Sequence, residues 1–144
     1  MVADLDGPRR ATVLSAMLHT ISSKRKLEEI EQALQESATR HKFGVLAIHD
    51  LRETMRKKGV EFHSDCRIYE VCNPVQAKKV LEANGAVSTA LPCRISVYQS
   101  PDGGYTLATL LPTELMQMFG SPALGVIAQE VETVLKEIMA EAAG

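Results

Sequence analysis

Hydrophobic and polar residues follow two different periods along this chain, and each change of period marks a change of element. Lys24 to His41 sets Leu27, Ile30, Leu34 and Ala38 three and four residues apart, with Glu28, Glu29, Gln32, Gln35, Glu36 and Arg40 between them. That spacing predicts an amphipathic helix with one face in a core. Before it, Ala11 to Ser22 carries Val13, Leu14, Met17, Leu18 and Ile21 in a run short enough for a strand. After it, Phe43 to His49 reads as a strand, Leu51 to Lys58 as a short helix stopped by Gly59, and Cys66 to Cys72 as a further strand. In that strand Cys66, Ile68, Glu70 and Cys72 share one face, and Arg67, Tyr69 and Val71 share the other.

Cys72-Asn73-Pro74 is the handover from this strand to the next helix. Asparagine favours the N-cap and proline the first helical turn, so Asn73 caps a helix over Pro74 to Asn84, and Gly85 ends it. Leu91–Gln99 and Gly104–Leu111 are strands joined by Ser100-Pro101-Asp102-Gly103, where proline sets φ and glycine accepts positive φ. Pro112 opens a short segment to Gly120, and Ser121-Pro122 starts a last helix through about Ala142. Its stripe is Leu124, Ile127, Ala128, Val131, Val134, Leu135, Ile138 and Met139. The order is βαβ(α)βαββα, an α+β fold: one two-layer domain over residues 11–144 after a tail over 1–10, with a mixed sheet of about five strands covered by two main helices. Leu27, Ile30, Leu34, Ile127, Val131, Val134 and Ile138 are expected to point into the helix–sheet interface.

Composition narrows the partners. With 144 residues and a net charge of −2, the chain is large enough for its own core and has no basic field for nucleic acid. No apolar run approaches the roughly 20 residues a bilayer requires, so no membrane partner is expected and a cytoplasmic location is. Three cysteines, Cys66, Cys72 and Cys93, without CxxC spacing fit a reducing compartment rather than a disulfide framework. A small open sheet leaves strand edges unpaired, which points to a homodimer.

Candidate chemistry centres on Cys72, placed one residue outside a helix N-terminus, where the partial positive charge favours a thiolate or a bound anion. A buried cysteine is equally an apolar filler. Glu70 lies on the same strand face as a proton partner, and Cys93 follows Pro92 at a strand start. Whether Cys72 and Cys93 meet depends on topology, because a parallel crossover separates them and an antiparallel pairing joins them. Soft thiolates with imidazole would suit a metal or haem, with Cys72, Cys93, His49 and His63 as candidate ligands. His19 and His41 have no motif company either. Arg52, Arg56, Lys57 and Lys58 read as a solvated helix face. No GxSxG, Walker loop or GxGxxG occurs.

Phe43-Gly44-Val45-Leu46 after an acidic helix, Cys72-Asn73-Pro74, Leu91-Pro92-Cys93, and Ile127-Ala128-Gln129-Glu130-Val131 in the last helix together resemble the domain of unknown function 302 family over most of residues 17–141. The resemblance implies a compact α+β domain similar to the TATA-binding-protein-like group, and it implies no settled activity. The chain departs from the pattern in its first ten residues and in Glu61-Phe62-His63-Ser64-Asp65-Cys66. Two functions are therefore carried forward. One is a non-enzymatic module binding a small ligand, anion, metal or haem near Cys72, Asn73, Pro74 and Cys93. The other is a thiol enzyme or carrier handling sulfur or redox equivalents through Cys72.

Overall fold

The computed structural model describes residues 13–144, so the expected tail over 1–10 and the first two residues of the strand expected at Ala11–Ser22 lie outside the described residues. The elements are β1 (Leu18–Ser23), α1 (Leu27–Arg40), β2 (Gly44–Asp50), α2 (Leu51–Lys57), β3 (Cys66–Cys72), α3 (Pro74–Ala83), a 3-10 turn (Gly85–Ala90), β4 (Cys93–Gln99), β5 (Tyr105–Leu110), α4 (Pro112–Gln117) and α5 (Pro122–Ala143). The fold class is α+β, as the periodicity predicts. The first strand is shorter than expected, because residues 13–17 are helical. Its partner β5 ends opposite Leu18, so earlier residues have no ladder to join, and Val13 and Leu14 stay exposed.

The sheet has the order β1-β5-β4-β3-β2. All four pairings are antiparallel, which corrects the expectation of a mixed sheet. A helix between two strands suggests a parallel neighbour, but α1 joins strands at opposite edges, and β3 and β4 pair directly as antiparallel neighbours despite the long excursion between them. Local signals set the element ends well. Lys42 takes φ +63° and lets the Phe43 N–H reach the Ala38 carbonyl at 2.8 Å, closing α1 with a Schellman-type turn. The hairpin turns as its residues require, with the Ser100 N–H on the Gly104 carbonyl at 2.7 Å and Gly103 at φ +90°.

α1 and α5 pack together over one sheet face. Leu27, Ile30 and Leu34 from α1 and Leu135, Ile138 and Met139 from α5 are buried there against Tyr69, Val71, Ile95, Val97 and Leu107. Val131 and Val134 pack at its margin. Ile127 departs from the expected interface: it belongs to a second cluster of Val80, Val87, Met116, Leu124 and Ala128, made where α3, the 3-10 turn and α4 meet the first half of α5. The far end of α5 is tied to the sheet by Ser23, whose hydroxyl donates to the Ala143 carbonyl at 2.7 Å, and by Arg25, whose guanidinium donates to the carbonyls of Glu141 and Ala142. These bonds satisfy carbonyls that a helix C-terminus otherwise leaves open.

Candidate functional site

The excursion between β3 and β4 and the α4 segment enclose a cavity of about 350 Å³ at one end of the sheet. Its walls are mainly apolar: Phe43, Val71, Val80, Leu91, Met116 and Ala128 among others. Cys72 and Cys93 both line it, because the antiparallel β3–β4 register sets Cys93 opposite Val71 and so beside the last residue of β3. The alternative left open by the sequence is thereby decided, and the two thiols are neighbours. Asn73 also lines the cavity, whereas Pro74 is exposed and lies outside the lining. The Leu91–Pro92 peptide that leads into Cys93 is cis.

The start of α3 does not offer what its position suggests. The Asn73 side chain accepts from the N–H groups of Val75 at 3.0 Å and Gln76 at 3.2 Å. The Ala77 N–H bonds the Asn73 carbonyl at 2.9 Å, and Pro74 has no N–H. The first turn therefore keeps no free donor for a thiolate or an anion. Burial meanwhile pushes the Cys72 thiol up, and burial with Cys72 nearby pushes Cys93 up to about 11. Both shifts favour the neutral thiol, and the cap side chain takes the donors that would otherwise favour a Cys72 thiolate.

Glu70 faces away from the helices, with its carboxylate 3.2 Å from His49 and 3.7 Å from Arg94. His49 thus pairs with Glu70 rather than with a thiol, and His63 sits in an exposed loop 3.6 Å from Glu61. Neither histidine lines the cavity. Among the described residues no group of three or more His, Cys, Asp or Glu side chains converges as a metal site would require. Cys66 lies at the opposite end of β3, opposite Tyr98. Nearby, the Tyr69 hydroxyl donates to Glu31 at 2.9 Å and the Tyr105 hydroxyl to Asp65 at 2.7 Å, while Arg67 and Arg52 pair with the same two carboxylates. Every member of that cluster is occupied by another, which is how a structural network looks.

Three residues in or behind the cavity wall escape a reading by periodicity. Gln76 donates through Nε2 to Glu130 at 2.8 Å, and because a carboxylate only accepts, this bond fixes which way the amide points. Its Oε1 is then buried without a partner, the one such side-chain atom among the described residues. Arg94 is the one charged residue of the lining. The third, Glu132, lies behind the wall, buried on α5, with one carboxylate oxygen accepting from the Thr113 N–H at 3.1 Å and hydroxyl at 2.6 Å. It supplies from another helix the cap that Leu111 cannot give α4. A signal existed for Glu132, an acid four residues after Ala128 and three before Leu135 on an otherwise apolar stripe. None existed for the cavity, whose walls come from segments far apart in sequence.

Fold and site together define a single-sheet α+β domain with an apolar cavity beside two neutral thiols. The chain belongs to the family of the domain of unknown function DUF302, which matches it over residues 19–142. A crystal structure of an uncharacterized conserved DUF302 protein from Bacillus stearothermophilus is 33% identical and superposes with a TM-score of 0.82, covering 88% of this chain and 98% of that one. No match exists among the curated proteins. Among the described residues no helix is long and apolar enough to cross a membrane.

Proposed function

We propose that this protein is a non-enzymatic small-molecule-binding module whose ligand occupies the cavity between β3, α3, α4 and α5. The observation that carries this reading is the cavity itself: about 350 Å³, mostly apolar, and lined by Cys72, Asn73 and Cys93. Ligand pockets have this size and character, an apolar lining with a few polar groups. The unpartnered Gln76 oxygen in the wall supports it, because a buried acceptor without a donor costs ~1–3 kcal/mol and a bound molecule or water can supply one. The thiol-enzyme alternative has less support, since both cavity thiols are shifted toward the neutral form and the helix start keeps no free N–H for a thiolate.

The test is displacement of a neutral fluorescent apolar probe by straight-chain alcohols of increasing length. Each buried methylene is worth ~0.8 kcal/mol, so affinity should rise roughly fourfold per carbon until the cavity is full. Ala77→Phe fills the cavity from a part-exposed wall position, and should abolish probe binding while keeping the circular dichroism of the wild type. Affinities independent of chain length, or unchanged in the filled variant, would overturn the reading. We also propose a homodimer through the sheet face opposite α1 and α5, where Tyr98 and Leu110 are exposed. Sedimentation equilibrium showing only 15.7 kDa particles at micromolar concentration would refute it.

A further inference from the structure

Gln76, in the first turn of α3, carries the one buried side-chain polar atom among the described residues that lacks a partner, and a residue outside the cavity fixes which atom that is. Its backbone N–H is taken by the Asn73 side chain at 3.2 Å. Its Nε2 donates at 2.8 Å to Glu130, an exposed residue of α5. A carboxylate only accepts, so the amide nitrogen stays with Glu130 and the oxygen faces away from it. A glutamine three residues after an N-cap often folds back onto the N–H of the cap. This one does not, and bulk solvent does not reach its Oε1. A donor can therefore come only from the cavity that Gln76 lines. The same cavity offers no charge to a ligand: Arg94 pairs in register with Glu70 on the sheet face away from Val71 and Cys93, and the Glu132 carboxylate behind the wall is taken by Thr113. A charged group placed there would lose its water without gaining an opposite charge.

Resting on the cavity reading above, we infer that the ligand is an uncharged apolar molecule with a hydroxyl or N–H donor that bonds Gln76 Oε1, and that Glu130 is the positioning residue that selects for this donor by fixing the amide. Glu130 is not part of the lining, so its influence on a ligand runs through Gln76. A side chain that can only donate, put in its place, bonds Oε1 instead and turns the Nε2 hydrogens inward. The cavity then selects for an acceptor.

1-Heptanol and hexyl methyl ether are isomers; the alcohol donates and accepts, and the ether only accepts. Competed against the neutral apolar probe, the wild type should bind the alcohol about fivefold more tightly, the worth of one net hydrogen bond. Gln76→Leu should bring the two isomers within about twofold of each other, since neither then has a partner. Glu130→Lys should do so by another route, raising the affinity for the ether about fivefold, because the inward amide nitrogen donates to either oxygen. Gln129→Lys adds a positive charge at a neighbouring exposed position that does not touch the amide, and should leave the wild-type ratio unchanged. Because Glu130 is exposed, its variant decides the matter even if Gln76→Leu does not fold. A wild type without the alcohol preference, or a preference that survives in either Gln76→Leu or Glu130→Lys, would overturn the assignment while leaving the cavity reading intact. If neither isomer displaces the probe and Ala77→Phe changes nothing, both fail together.

Discussion

Glu132 is the buried acid on which the α4 wall of the cavity depends, and removing it gives a sharp test of how that wall is held. Its side chain is 8% exposed, and a single oxygen takes both the N–H and the hydroxyl of Thr113, at 3.1 and 2.6 Å. The other oxygen is 3.7 Å from Lys136. Hydrogen bonds to a charged group are worth ~1.5–3 kcal/mol each, but burying a carboxylate costs several kcal/mol, and that cost is relieved when the acid is removed. About 2–3 kcal/mol is left as the expected loss in Glu132→Ala. Glu132→Gln keeps an acceptor for Thr113 and loses only charge, so it should cost about 1 kcal/mol. Urea unfolding followed by circular dichroism reads this directly: with a slope of roughly 1–3 kcal/mol per molar, the Ala variant's midpoint should fall by about 1–2 M at unchanged slope. Thr113→Val combined with Glu132→Ala should lose much less than the two single variants added, because they share one interaction. An Ala variant within ~0.5 kcal/mol of wild type, or one no worse than the Gln variant, would refute the cap.

Two further predictions concern the ends of helices. Glu141 is held near a pKa of about 2 by hydrogen bonds from Ser37, His41 and Arg40, a folded value below the ordinary carboxylate range; its stabilisation is present above about pH 4.5 and lost as the pH falls toward 2, so the stability gap between wild type and Glu141→Gln, measured by thermal melts, should close over that window, and a gap constant from pH 6 to 2 would contradict it. Asn73→Ala should cost ~1 kcal/mol of stability as a lost N-cap and, by freeing the Val75 and Gln76 N–H groups, should speed Cys72 alkylation at pH 8, whereas an unchanged alkylation rate would show that burial alone protects the thiol.

What the sequence made legible follows from the range of each force. Helix starts, the hairpin turn and strand faces depend on residues a few positions apart, and Asn73 and Ser100–Gly103 act as their neighbours dictate. The pairing of β1 with β5 rather than β2 depends on the whole sheet, so the expectation of a mixed sheet failed there. The setting of Cys72 was legible only in part. A helix N-terminus was correctly located, but the asparagine that marks it also exhausts its donors.

The same long-range logic explains why the site lies where it does. β3 and β4 are antiparallel neighbours, a pairing that a two-residue turn can connect, yet residues 73–92 intervene as a helix and a 3-10 turn. The main core between α1, α5 and the sheet does not need this excursion, since Val80 and Val87 belong to the second cluster and not to the first. Nor does the pairing need α4, whose position is held by a buried acid from α5. A chain that spends two added segments and a buried carboxylate at one end of its sheet encloses a cavity there instead of packing it solid. Space of this size bounded by dedicated elements is the feature on which the proposed binding function rests. The excursion also ends at Cys93 and begins beyond Cys72, which is why the two thiols line the cavity: they are the strand residues from which the chain departs and to which it returns.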